Sequence, residues 1–434
     1  MARPSLRRLV DGIASRFVRL MLGLFFRDVE MVGRERIPPG VPLLVIANHV
    51  NNLIDPMVIM GYTGVKPRFL AKSTLWRHPV VAPLLVMSGA VPVYRHSDGA
   101  PVARNFETFA RCREMLAAGT TVALFPEGTS HNQPGSAPLK TGAARIALET
   151  EARHGRLGLR IVPVGIVYED KERFRSRVLV QVGDAIDPGS EQALYTTEPR
   201  AAVRALTARI AAGLEAVTAP FASWEEARLI DRAVDLAIDG DPHALPLSRR
   251  WALWRAFVDR HALLARADPP RALRLISALR AYDDARRQLG ASERDLAAAS
   301  EGNPGQRLRS VLEWMGLLPG VVLNWVPYRL PGWIAARLTT TPDEPATYKV
   351  LASFLVFPAW WALEALVAAR LGGPAAALAV VVLAPVTGYL ALCMHDRRRL
   401  RPRPVATGGA ERAALSGARA ALSEQIRDMV TAGP

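Results

Sequence analysis

Cysteine is nearly absent: two residues in 434, Cys112 and Cys393, exclude a disulfide framework, and neither belongs to a Cys-x-x-Cys pair that could hold a metal. A reducing compartment suits such a chain. Acidic residues are also in deficit, 40 Asp and Glu against 55 Lys and Arg. The net charge of +15 points to an anionic partner: nucleic acid, an acidic lipid surface or a phosphorylated substrate. No Gly-x-Ser-x-Gly pentapeptide occurs, which argues against a serine hydrolase elbow. No Gly-x-x-x-x-Gly-Lys loop or Gly-x-Gly-x-x-Gly turn occurs either, which argues against the common nucleotide cradles. The amino-terminal stretch lacks the short apolar core and small-residue cleavage site of a secretory signal.

What is abundant is apolar sequence, half of all residues. Leu6, Leu9, Val10, Ile13, Phe17, Leu20, Met21 and Leu24 recur at helical spacing between Arg7, Arg8, Arg16 and Arg19. Residues 1–30 therefore read as a basic amphipathic helix, suited either to a lipid interface or to packing on a soluble core. From Val41 to Gly183 short apolar runs alternate with helical patterns, among them Leu43–Ala47, Arg68–Leu70, Ala90–Val93, Thr121–Phe125, Ile161–Val167 and Val178–Val182. That alternation predicts an α/β domain over residues 31–219, a mixed sheet flanked by helices, with active groups where strands end. Residues 220–345 read as a helical region. Its last part, Val311–Leu338, carries Trp314, Trp325, Trp333 and Tyr328 among prolines, as an interfacial segment would.

Val350–Ala369 and Pro374–Met394 each have about the 20 residues a bilayer crossing needs, separated by Arg370-Leu371-Gly372-Gly373. They predict a transmembrane hairpin over residues 346–396, and two such runs are foreign to a nucleic-acid binder. The block from His395 to Arg401 opens a basic tail, 397–434, and places both ends of the hairpin in the cytoplasm. The chain is thus expected in the inner membrane with its catalytic part facing the cytoplasm. Glu364 lies inside the first run, where an ionised carboxylate costs roughly 2.5 to 3.5 kcal/mol.

Two turns carry chemistry. Leu44 to Pro56 reads as a strand, a polar turn holding Asn48 and His49, and a helix start at Asp55-Pro56. Asp55 can be a plain helix cap, or it can fix the tautomer of His49 as a general base requires. The strand Thr121–Phe125 delivers Pro126-Glu127-Gly128-Thr129-Ser130 into a turn where Glu127 can accept hydrogen bonds and Gly128 lets a substrate approach closely.

These turns resemble those of the glycerol-3-phosphate and lysophosphatidate acyltransferase family, in order from Val32 to Pro188: Asn48, His49 and Asp55; then Gly89 through Arg95; then Phe125 through Ser130; then Ile161 through Gly165. Leu139-Lys140-Thr141-Gly142-Ala143-Ala144 and Phe174-Arg175-Ser176 resemble the branch with a carboxy-terminal membrane region. Five residues separate His49 from Asp55 where the family pattern has four, and Ser130 stands where many relatives place arginine.

The resemblance implies a membrane-bound O-acyltransferase with a fold like that of the glycerophosphate acyltransferases. It would move a fatty acyl group from acyl-CoA or acyl-carrier protein to glycerol 3-phosphate or lysophosphatidate. His49 and Asp55 would be catalytic. Arg95, Glu127, Gly128, Thr129, Lys140 and Arg175 would bind substrate, with phosphate contacts from Arg95, Lys140 and Arg175. The expected partners are a thioester donor, a glycerophosphate or lysophospholipid acceptor and the bilayer, with no nucleic acid, metal or other cofactor. The competing expectations are a catalytically silent lipid-binding membrane scaffold and an acyltransferase for another lysolipid.

Overall fold

The structure, a computed structural model, describes residues 4–77, 81–94, 105–135, 137–238, 241, 244–290, 293–297, 304–339, 341–399 and 409–431. The chain divides into two compact units, Met1–Ala219 with Thr341–Thr347, and Pro220–Thr340 with Tyr348–Pro434.

In the first unit the chain runs α1 (Pro4–Phe25), β1 (Asp28–Val32), β2 (Leu43–Ala47), α2 (Ile54–Tyr62), β3 (Arg68–Lys72), α3 (Val81–Ser88) and β4 (Val91–Val93). It continues through α4 (Asn105–Ala117), β5 (Val122–Leu124), α5 (Gly142–His154), β6 (Arg160–Tyr168), β7 (Arg177–Val182), α6 (Gln192–Thr197) and α7 (Pro199–Glu215). The seven strands order as β1-β7-β6-β2-β5-β3-β4, parallel throughout except for the antiparallel pair β6 and β7. Strand β2 is central and buried at every position, as its unbroken Leu-Leu-Val-Ile-Ala run requires of a strand covered on both faces. Ile146, Leu148, Leu206 and Ile210 of α5 and α7 close one face against Leu44, Ile46 and Val122. Because β2, β5 and β6 run parallel in register, their carboxy ends open along one edge of the sheet, where ligands collect in such folds.

Helix α1 is part of this unit, not a separate module. Val18, Met21, Leu22 and Phe25 are buried, and Arg19 donates to the Gly61 carbonyl at the end of α2 at 2.8 Å. Leu9, Val10, Ile13, Phe17, Leu20 and Leu24 face outward. The helix therefore has two apolar stripes, one spent on the core and one presented outside. Strand β1, on the sheet edge, reads Asp-Val-Glu-Met-Val, an alternation too short to stand out beside the basic helix, and it lies ahead of the apolar pattern that begins at Val41.

In the second unit follow α8 (Trp224–Ala237), α9 (Leu247–Ala267), α10 (Pro269–Gln288), α11 (Glu293–Ala297), α12 (Pro304–Leu338), α13 (Pro345–Arg399, whose first three residues belong to the first unit) and α14 (Gly409–Thr431). Helices α8, α9, α10 and α14 pack together, and Arg232 joins Asp235, Asp283 and Glu293 inside the bundle. Residues 409–431 are thus a packed helix with Leu422 and Ile426 buried, where a basic tail is expected; the far end of the basic block, Leu400 and Arg401, lies outside the described residues.

Helix α13 is long and apolar enough to cross a membrane, by length and composition. It is two arms, not one rod. Trp361 Nε1 donates to Asn324 Oδ1 of α12 at 2.9 Å, and Asn324 Nδ2 donates to the Ala384 carbonyl at 3.0 Å. In a continuous helix Trp361 and Ala384 would stand about 35 Å apart, far beyond one asparagine's span. The reversal falls at Gly373, with φ 77° and ψ −175°, a backbone conformation open to glycine. Residues 345–399 therefore form two arms on either side of Gly373, both of which reach Asn324. The Trp- and Pro-bearing segment before it is helical despite Pro319, Pro327 and Pro331, and packs along both arms.

Candidate active site

Strand β2 ends at Ala47, and the turn behind it is pinned at once: Asn48 Nδ2 donates to the Ile166 carbonyl at 2.9 Å and its Oδ1 accepts from Ile166 N at 2.8 Å. The next residue, His49, leaves the sheet with its ring stacked on Phe125, 4.0 Å between centroids and 13° between planes. Its Nδ1 lies 2.9 Å from Asp55 Oδ2. The extra residue between them is absorbed by the loop, where Asn52 adopts φ 36°.

Asp55 is not a cap. It sits in the first turn of α2, whose N-cap is Leu53, and its carboxylate turns back to the loop. Oδ2 accepts from Val50 N and Asn51 N, each at 2.8 Å, as well as from His49; Oδ1 accepts from the Tyr168 hydroxyl at 2.7 Å. The side chain is fully buried. A buried carboxylate is tolerable only with its lone pairs filled, and here four donors fill them. Burial pushes the Tyr168 pKa well up and the Asp55 charge beside it adds to this, so the phenol remains a donor. With Nδ1–H directed at Asp55, the lone pair of His49 sits on Nε2, the arrangement of an imidazole poised to accept a proton. The ring retains 13% of its side-chain exposure, against none for Asp55.

Strand β5 delivers the second turn beside the first. Glu127 Oε2 accepts from His49 N at 2.6 Å, and Oε1 accepts from Ala137 N at 3.3 Å, with His131 Nε2 3.0 Å away but off the hydrogen-bonding direction. His131 N donates back to the His49 carbonyl at 3.0 Å. Glu127 is thus a buried clamp on the His49 main chain; the expectation that it orients acceptor hydroxyls is replaced by this internal role, because both its oxygens are engaged and its side chain is closed to solvent.

Gly128 has φ 77°, and an added Cβ would lie 2.5 Å from Lys140 Nζ. The lysine stem therefore lies across the glycine, which brings an exposed ammonium to the turn; Lys140 N also donates to the Pro126 carbonyl at 2.7 Å. Gly128 N is committed to the Phe125 carbonyl within the turn. Thr129 is exposed and Oγ1 makes one long contact, 3.3 Å, to the Ser130 carbonyl.

Arg95 lies outside the described residues. Arg175, at φ 62°, donates from Nη1 to the carbonyls of Gly23, Leu24 and Phe26 at 2.8, 3.2 and 3.0 Å, so it closes the end of α1 and is corrected from phosphate ligand to helix cap. Conversely, Tyr168, His131 and Lys171 join the site without any signal in sequence spacing. Lys171 Nζ donates to the Val50 carbonyl at 2.7 Å, and Asn51 Nδ2 donates to the Lys171 carbonyl at 3.3 Å. A cavity of about 540 Å³ lined by Arg34, Pro38, Gly64 and Thr121 opens at the opposite, amino-terminal ends of the strands, away from this chemistry.

The Acyltransferase family model matches residues 28–167, which contain His49, Asp55 and Glu127. Among curated proteins, an uncharacterized acyltransferase of Schizosaccharomyces pombe is 25% identical over 42% of this chain and 40% of its own length. Glycerol-3-phosphate O-acyltransferase 1 of Saccharomyces cerevisiae is 33% identical over 32% of this chain and 19% of its own length. A 1-acyl-sn-glycerol-3-phosphate acyltransferase of Borreliella burgdorferi is 28% identical over 38% of this chain and 61% of its own. This chain therefore spans less than half the length of the two fungal relatives. The crystal structure of the 1-acyl-sn-glycerophosphate acyltransferase PlsC of Thermotoga maritima aligns with 47% of this chain and 82% of that one, at 26% identity and a TM-score of 0.36. Residues 28–167, which hold the paired imidazole and carboxylate, thus match the Acyltransferase family model and are similar to glycerol-3-phosphate and 1-acyl-sn-glycerol-3-phosphate acyltransferases.

Proposed function

We propose that the chain is a membrane-bound O-acyltransferase that moves a fatty acyl group from acyl-CoA or acyl-carrier protein to glycerol 3-phosphate or lysophosphatidate. The observation that carries this reading is the 2.9 Å contact between His49 Nδ1 and a fully buried, fourfold-bonded Asp55 at the carboxy edge of the sheet. Nε2 takes the proton of the acceptor hydroxyl as its oxygen attacks the thioester carbonyl. The tetrahedral intermediate then expels the thiolate, which leaves with that proton. Asp55 stabilises the imidazolium formed between the two steps, and the protein forms no covalent bond to the acyl group. General-base help of this kind is worth roughly 10² to 10⁴ in rate, and the positioning of two substrates supplies much of the rest.

The acceptor phosphate needs cations, and Lys140, held across Gly128, is an exposed ammonium at the second turn; Arg95 keeps the role that the resemblance implies. The bilayer contributes through the hairpin of α13. Since α14 packs back on α8, the chain between them passes through the membrane an even number of times, and the two arms supply that number. Helix α12, with Arg329 and with the Arg337 guanidinium 4.5 Å from the Trp333 ring centroid, then lies against the hairpin without a third crossing. Both hairpin ends face the cytoplasm, in the inner membrane.

Purified protein in phospholipid vesicles, given acyl-CoA and glycerol 3-phosphate or lysophosphatidate, is expected to release free CoA and form the acylated lipid. His49→Ala should remove at least 10²-fold of kcat with the thermal unfolding midpoint unchanged. Near-wild-type turnover by that variant would end the assignment of the base.

A further inference from the structure

At the amino-terminal ends of the strands, the edge of the sheet away from His49, a second cavity of about 310 Å³ is lined by Arg68, Gly89, Arg111, Met115 and Thr120. Arg68 opens β3, Arg111 and Met115 stand one turn apart on α4, and Thr120 precedes β5. Two of the five lining residues are cations, and none is acidic.

Arg68 is the buried member, only 8% exposed. A guanidinium carries five N–H donors in one plane, and three of them are used. Asp11 of α1 takes the end of the group, with Oδ1 3.4 Å from Nη1 and Oδ2 3.1 Å from Nη2, and the Ser88 carbonyl accepts from Nη1 at 2.6 Å. The two donors left are Nε–H and the Nη2 hydrogen beside it, a parallel fork along the side of the plane. Nε is closed to solvent and has no acceptor among the described residues. A buried donor left in that state is a cost to the fold unless a ligand fills it. Asp11 balances the charge of Arg68, but Arg111 is exposed and makes no hydrogen bond or ion pair among the described residues. One cation is therefore uncompensated beside one unmet fork. A tetrahedral oxyanion suits both, since two of its oxygens match a guanidinium fork and a third remains for the second guanidinium. A carboxylate has no third oxygen to offer.

We infer that this cavity is a phosphate-binding site separate from the His49 centre: the fork of Arg68 holds two oxygens of a phosphate group, Arg111 neutralises it and the Thr120 hydroxyl donates to it. Two sources can supply that group. Val86 and Met87, next to Ser88, and Leu9, Val10 and Ile13, around Asp11, are exposed apolar side chains, so the Arg68 anchor stands between surfaces suited to a lipid interface and to a phospholipid headgroup. A soluble phosphate compound offers the same oxygens. The inference stands independently of the reaction proposed at His49.

The test reads amide hydrogen exchange by mass spectrometry on the full chain in maltoside micelles, whose headgroups carry no phosphate. Inorganic phosphate is compared with chloride at equal ionic strength. At ten times its dissociation constant, on the order of 10 mM, phosphate should slow exchange in residues 85–91 and 115–121 about tenfold. Arg111→Gln, at an exposed helix position, should cut that protection to about twofold, and Thr120→Val to about threefold. Arg68→Lys keeps a cation for Asp11 without the fork and should match Arg111→Gln; should it fail to fold, the other two variants carry the comparison. A second arm places the chain in phosphatidylglycerol vesicles. Protection already present there, lost in Arg111→Gln and not raised by added phosphate, upholds the site and names the lipid headgroup as its occupant. Protection that still needs added phosphate upholds it and names a soluble compound. Phosphate that protects neither segment in micelles, or protects wild type and the Arg111 and Thr120 variants equally, would overturn the site.

Discussion

Replacing Asp55 by asparagine isolates charge from shape at the centre of the site. Asp55→Ala would leave the donors of His49, Val50, Asn51 and Tyr168 without an acceptor inside the protein, at about 1 to 3 kcal/mol each, and would test folding more than catalysis. In Asp55→Asn the amide oxygen can take the Oδ2 position, where three donors converge, and the amide nitrogen then faces Tyr168, whose hydroxyl can reverse and accept. The loop should keep its geometry. What is lost is the negative charge opposite the imidazolium. Two unit charges about 4 Å apart interact by about 4 kcal/mol at the effective dielectric of 20 suited to such sites. At 1.36 kcal/mol per decade that is a factor of about 10³ in kcat. The fall should appear in turnover, measured as CoA release at saturating acceptor and donor, with both KM values within a few-fold of wild type. If Asp55→Asn keeps the wild-type unfolding midpoint and also keeps kcat within tenfold, the carboxylate is not stabilising a charged imidazole and the general-base mechanism fails with it.

Tyr168→Phe removes one donor from Asp55 Oδ1 and should cost about 1 to 1.5 kcal/mol, seen as a five- to tenfold lower kcat at unchanged acceptor KM; an unchanged kcat would make the tyrosine simple filling. Gly128→Ala meets two obstacles. The left-handed backbone there costs an alanine about 1 to 2 kcal/mol, and the Lys140 ammonium must swing away from the new Cβ. Its acceptor KM should therefore rise more than its stability falls, whereas an acceptor KM equal to wild type would detach Lys140 from the phosphate. Asn324→Leu should loosen both arms of α13 at once, lowering the unfolding midpoint in vesicles by more than Trp361→Phe does. An equal or smaller loss would mean that the Ala384 side of the bridge carries no weight.

Much of the sheet and the whole first block are legible in sequence because they are written in short-range patterns. The short apolar run Leu43–Ala47, bounded by Pro42 and a polar turn, reads as a covered strand, and Asn48, His49 and Asp55 follow it closely. Local patterns say where a group sits but not which way it faces. Asp55 reads in sequence as a helix cap before Pro56, yet it lies inside the first turn of α2, and its carboxylate turns back to the loop where four donors converge. Glu127 and Arg175 show the same limit in polar form. Each is a residue type that could bind substrate, and each meets main-chain groups that would otherwise go unpaired: His49 N for one, the last carbonyls of α1 for the other. Those needs are created by the fold and leave no trace in spacing.

The residues with no sequence signal include those whose partners are most distant along the chain. Tyr168 reaches Asp55 across the sheet, 113 residues away in sequence. The same holds for Asn324, an isolated polar residue in an apolar helix, whose meaning appears only when both arms of α13 lie beside it. In each case one polar group is buried at a cost, and the partner that offsets the cost identifies the contact the fold was built to make. Where the groups that carry the chemistry can be read from a motif, the groups that hold them in place have to be read from which buried polar atoms would otherwise be left without partners.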